Sequence, residues 1–169
     1  MNEMTLKELF EVGVSFESSV GEGSKSERAR IPKNYSRLNL SDEMISTLVD
    51  FDKEVNFLIA GEIWCPDYQL NATVLKKFTE LNSNFNISVI TMARGKKYLS
   101  TILNVDKNTL KFPLIIALDK DFNILGTFEE RPNTVKAIEN FDDIKLDYYK
   151  GRYLLDSASD FINIINNAK

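Results

Sequence analysis

The amino-acid sequence predicts an α/β fold: a central mixed β-sheet, one parallel pair plus an antiparallel hairpin, flanked by helices. Residues 55–60, Val-Asn-Phe-Leu-Ile-Ala, form a nearly continuous apolar run of the kind that fills a strand buried on both faces. A second run at 87–92 follows a helix-length stretch, which favours a right-handed parallel crossover between the two. Apolar runs at 113–118 and 124–129 flank Asp119-Lys120-Asp121-Phe122-Asn123, whose turn-forming residues mark an antiparallel hairpin.

Each element has its own local reason. Leu6, Leu9, Phe10, Gly13 and Phe16 recur at mostly helical spacing, predicting a first amphipathic helix over residues 5–19. Residues 20–39 carry Gly21, Gly23, several serines, the basic cluster Lys25, Arg28, Arg30 and Lys33, and an interrupting Pro32, and read as a surface connection with at most a short helical turn. A helix over 41–50 follows, with Ser41 as cap, Asp42 and Glu43 at its positive end, and Leu40 stapled onto Ile45.

After the central strand, Pro66 suits a first helical turn, because its missing N–H would be unpaired there anyway. Leu70, Val74, Leu75, Phe78 and Leu81 carry that helix to about residue 83. Another helix is expected at 96–104, and a last one at 157–167 with Phe161, Ile162, Ile164 and Ile165. Residues 133–155, with Tyr148, Tyr149 and Tyr153, read as helical or irregular packing to which the sequence assigns no role. The expected organisation is one domain over 1–169, with a helical extension at 1–52 and a core at 53–169.

Composition narrows the chemistry. Hydrophobic residues make up 43% and charged residues 27%, as in globular chains. Asp and Glu outnumber Lys and Arg by 25 to 21, which disfavours a nucleic-acid backbone as partner. The start, Met1-Asn2-Glu3-Met4, lacks a signal-peptide pattern and no apolar run approaches the ~20 residues that span a bilayer, so a cytoplasmic location without membrane contact is expected. With one cysteine and no histidine, an intramolecular disulfide, a Ser-His-Asp triad and a Cys-His pair are excluded within this sequence. No calcium-loop spacing occurs, and neither metal nor cofactor is expected.

Trp64-Cys65-Pro66-Asp67, between a buried strand and a helix, together with Phe112-Pro113 before an antiparallel strand, resembles the thioredoxin superfamily. In particular it resembles the bacterial thioredoxin-like group whose motif reads Trp-Cys-Pro-Asp-Cys. The resemblance covers about 53–129 plus the last helix. It implies a nucleophilic cysteine at Cys65, a cis proline at Pro113 facing it, and Trp64 as an apolar wall beside the sulfur. Two positions depart from the pattern. Tyr68 stands where dithiol relatives carry the resolving cysteine, and Ile59 where thioredoxins carry a buried carboxylate. A mixed disulfide on Cys65 would have no internal thiol to resolve it.

Opposed effects act on the Cys65 thiol. The start of a helix lowers a thiol pKa from roughly 8.5, whereas the charge of Asp67 in the same turn raises it. Arg94, at the carboxyl edge of the parallel pair, is a candidate to offset Asp67. Tyr68 either donates a hydrogen bond near the sulfur or faces solvent. Two functions follow as expectations. One is a monothiol exchanger, in which Cys65 attacks a protein disulfide or low-molecular-weight thiol adduct and an external thiol releases it. The other is a redox-inactive module that binds a peptide or protein around Trp64, Tyr68 and Pro113. In either case a monomer or weak dimer is expected.

Overall fold

A computed structural model describes residues 3–168. The helices are α1 (Leu6–Val12), α2 (Phe16–Gly21), α3 (Lys25–Arg37), α4 (Asp42–Val49), α5 (Pro66–Leu81), α6 (Met92–Leu103), α7 (Asn133–Lys136), α8 (Lys145–Tyr149) and α9 (Leu154–Ile165). The strands are β1 (Val55–Ala60), β2 (Phe85–Ile90), β3 (Leu114–Leu118) and β4 (Ile124–Glu129). They form one mixed sheet in the order β2-β1-β3-β4, with β1 and β2 parallel and the other neighbours antiparallel.

Central β1 explains its own apolar sequence. Phe57 and Ile59 enter one core with Leu75 and Phe78 of α5 and Phe161 of α9, while Leu58 and Ala60 enter a second core with Leu9 of α1 and Leu99 of α6. Alternate residues of a strand face opposite sides, so a strand covered on both sides must be apolar throughout. The first core is built around aromatic rings: Phe57 lies 6.5 Å from Phe78 and 6.3 Å from Phe161, both edge to face. Burying each such side chain contributes roughly 1.5–3 kcal/mol.

The N-terminal third differs from the sequence reading in two places. The helix expected over 5–19 is two helices, because Gly13, Val14 and Ser15 are extended and Val14 pairs with Val89 on the edge of β2. Gly13 approaches so closely that a Cβ there would lie 2.0 Å from Ser88 Oγ. Residues 20–39, expected as a connection, hold the 13-residue helix α3. Ser24 and Glu27 form a reciprocal cap, the Glu27 N–H donating to Ser24 Oγ at 3.2 Å and the Ser24 N–H to Glu27 Oε1 at 2.8 Å. Tertiary packing keeps the helix despite Pro32 inside it: Asn34 is buried, and Tyr35 donates to Glu80 of α5 at 2.5 Å.

Elsewhere the differences are of boundary. β2 begins and ends two residues earlier than expected, and α6 begins at Met92 because Thr91 caps it, accepting from the Arg94 N–H at 3.1 Å. α9 starts three residues early, and β3 starts one residue after Pro113. Among the described residues no helix is long and apolar enough to cross a membrane.

Candidate functional site

The chain leaves β1 through Gly61, Glu62, Ile63 and Trp64, then enters α5 with Cys65 as N-cap and Pro66 in the first turn. Cys65 donates its N–H to the Glu62 carbonyl at 3.0 Å and accepts from the Gln69 N–H at 3.0 Å, which fixes it at the mouth of the helix. It is buried at 9% exposure, whereas neighbouring Trp64 is 54% exposed. The Phe112–Pro113 peptide bond is cis, and both residues are buried. Gly61 joins the two halves of the site. A Cβ there would lie 2.6 Å from Tyr68 Cδ1 and 3.2 Å from Pro113 Cβ, so the first turn of α5 and the cis proline close on one bare backbone position.

Burial is the largest influence on the Cys65 thiol and pushes its pKa up. The backbone N–H groups of Tyr68 and Asp67 pull it down, while the negative charges of Asp67 and Glu130 push it up again. The outcome is a raised pKa, so the thiol keeps its proton at neutral pH.

The cation that answers Asp67 is Arg131, not Arg94. Arg131 Nε lies 3.0 Å from Asp67 Oδ1, and the guanidinium stacks 3.8 Å from the centre of the Phe141 ring and donates to Tyr149 Oη at 3.3 Å. Asn71 ties the same region to α9. Its amide donates to the carbonyls of Asp67 at 2.8 Å and Glu130 at 3.1 Å, and its oxygen accepts from Ser157 at 2.6 Å. The Glu130 N–H donates to the Pro113 carbonyl at 2.9 Å, which extends the network to the cis proline. Residues 133–155, which the sequence left without a role, supply Phe141, Tyr148 and Tyr149 to this network, and with Glu130, Arg131 and Ser157 on either side they brace the turn that carries Cys65. No local pattern marked Arg131, because its partner is 64 residues away.

Tyr68 does not face solvent. It is fully buried, and its hydroxyl meets Ser19 Oγ of α2. Ser19 donates its own hydrogen to the Phe16 carbonyl at 2.7 Å, which leaves Tyr68 as donor to Ser19. Burial pushes the Tyr68 phenol up to about 12. Arg94 is exposed on α6 and lines a cleft with Trp64, Glu22 and Glu62; among the described residues it makes no ion pair. Among the same residues no group of three or more His, Cys, Asp or Glu could hold a metal ion.

A mixed four-stranded sheet with a cysteine capping the helix after its central strand, and a cis proline opening the neighbouring antiparallel strand, defines the thioredoxin-like class. The chain belongs to the thioredoxin family: the family model described as Thioredoxin matches residues 13–146. A crystal structure of a protein of unknown function from Pseudomonas aeruginosa is similar over 100% of both chains, at 30% identity and a TM-score of 0.90. An HIV epitope scaffold is similar at the same identity and TM-score over 98% of this chain and 100% of its own. A search of curated proteins found no match.

Proposed function

We propose that this chain is a thioredoxin-fold binding protein that holds partner polypeptides on the surface around Trp64, Pro66 and the Phe112–Pro113 turn, with Cys65 kept as a neutral thiol. The observation that carries this reading is Tyr68. In the Trp-Cys-Pro-Asp-Cys group that the motif resembles, the residue three after the first cysteine is the second thiol; here it is a buried ring whose hydroxyl holds Ser19. Through that hydroxyl, α5 is tied to α2. Burial of the Cys65 thiol and its raised pKa support the same reading, since the thiolate is the nucleophile in exchange. A reducing cytoplasmic setting suits a lone thiol of this kind.

The test is the pH dependence of Cys65 alkylation, followed by mass spectrometry after exposure to a low-molecular-weight disulfide. The binding reading expects a midpoint above the ordinary thiol value of about 8.5 and no adduct that external thiol releases.

A second reading, monothiol exchange, is favoured by one observation: Cys65 is the N-cap of α5, where the Tyr68 and Asp67 N–H groups lower the thiol pKa against burial. The Cys65 thiolate would attack one sulfur of a disulfide, expel the other as thiolate and form a mixed disulfide, and an external thiol would then attack that bond and return Cys65. A midpoint below the ordinary value with a releasable adduct would establish this chemistry in place of the first reading.

A further inference from the structure

Trp64 is the sole tryptophan of the chain and stands between two clefts that carry opposite charge. The first, about 340 Å³, opens at the carboxyl ends of β1 and β2; Glu22, Glu27 and Glu62 outnumber Arg94 there, and exposed Val12 and Val14 add apolar wall. The second, about 540 Å³, runs between α3 and the start of α5, where Arg30 and Lys33 outnumber Glu27. Among the described residues neither Glu22, Arg30, Lys33 nor Arg94 makes an ion pair, so the charge on each side is available to a ligand. The capping bond of Glu27 holds α3 at the boundary, and Trp64 Nε1 leans on Glu62 at 3.4 Å. An exposed indole flanked by charges of opposite sign is the arrangement that fixes both the position and the polarity of a bound chain.

We propose that the two clefts flanking Trp64 together dock an extended partner polypeptide in which an apolar residue covers Trp64, basic residues lie toward Glu22 and Glu62, and acidic residues lie toward Arg30 and Lys33. The proposal deepens the binding reading above and rests on it.

The sole tryptophan makes its own probe. Three capped peptides are titrated against the full chain while Trp64 fluorescence is followed: Lys-Lys-Ser-Leu-Ser-Glu-Glu, the same with four lysines, and the same with four glutamates. The bipolar peptide should give the strongest saturable response, falling as salt rises. Lys33→Glu and Glu22→Lys, both at exposed positions, should each weaken it about fivefold, the worth of one rim charge pair. Lys33→Glu should in turn prefer the all-lysine peptide, and Glu22→Lys the all-glutamate one. Equal responses to all three peptides would overturn the charge code and leave polypeptide binding standing. No response to any of them would remove both.

Discussion

Asp67 and Arg131 sit 3.0 Å apart although the sequence separates them by 64 residues, and their pairing sets the charge beside Cys65. Removing each partner should therefore move the thiol in opposite directions. Asp67→Asn deletes a charge that raises the Cys65 pKa, so alkylation should begin at lower pH. Arg131→Met leaves Asp67 buried without its cation, which should raise the thiol further and cost about 3 kcal/mol in a urea titration. If both variants shifted alkylation the same way, Asp67 would not be the charge the sulfur feels.

Tyr68 should make the protein sensitive to alkali. Its phenol is pushed up to about 12 in the folded chain, against about 10 when unfolded. A group whose folded pKa is raised stabilises in full below its unfolded value and loses that contribution as pH climbs through the folded one. Stability should thus fall by roughly 3 kcal/mol between pH 10 and 12 on this account. Cys65, raised in the same sense, should start the decline nearer pH 8.5. Tyr68→Phe should flatten the upper part of the slope while costing about 1 kcal/mol at neutral pH through the lost bond to Ser19. Chemical denaturation from pH 7 to 12 reads both effects.

Gly61→Ala should disturb the site from beneath. The added methyl would press on Tyr68 Cδ1 at 2.6 Å and on Pro113 Cβ at 3.2 Å, so ring and proline must move apart. A loss of about 1–3 kcal/mol is expected, with faster alkylation of Cys65 as the turn loosens. Unchanged stability would mean that the backbone there yields without cost.

Ser24→Ala should fray α3. Loss of the oxygen that accepts from Glu27 removes one half of the reciprocal cap, a cost of about 1 kcal/mol, measured as a lower urea midpoint.

The same cap shows what could be read from the sequence and what could not. Ser24 and Glu27 have capping-box spacing, a signal that the reading of 20–39 as a connection, made on its glycines, serines, basic cluster and Pro32, passed over, and the burial that keeps the helix comes from α5, which no local pattern displays. β1 and β4 were legible to the residue, because strict burial on two faces or a flanking turn writes itself into neighbouring positions. Trp64, Cys65 and Pro66 were recognisable as a short motif at an element boundary, whereas the cis bond at Pro113 was expected only through the resemblance to the thioredoxin superfamily. Arg131, Tyr148 and Tyr149 were not, since their meaning depends on Asp67 and Asn71 arriving from another part of the chain. Tyr68 was visible as a substitution, but its anchoring to Ser19 required the fold of the N-terminal helices.

Val14 and Val89 exchange both backbone bonds, at 2.9 and 2.8 Å. The outer rim of β2 is thereby closed at that rung to any incoming strand, a safeguard against polymerisation through an open sheet margin. Across the sheet, Asn167 already occupies the Leu125 carbonyl of β4 at 2.9 Å, so strand addition there would first have to displace the chain's own C-terminal turn.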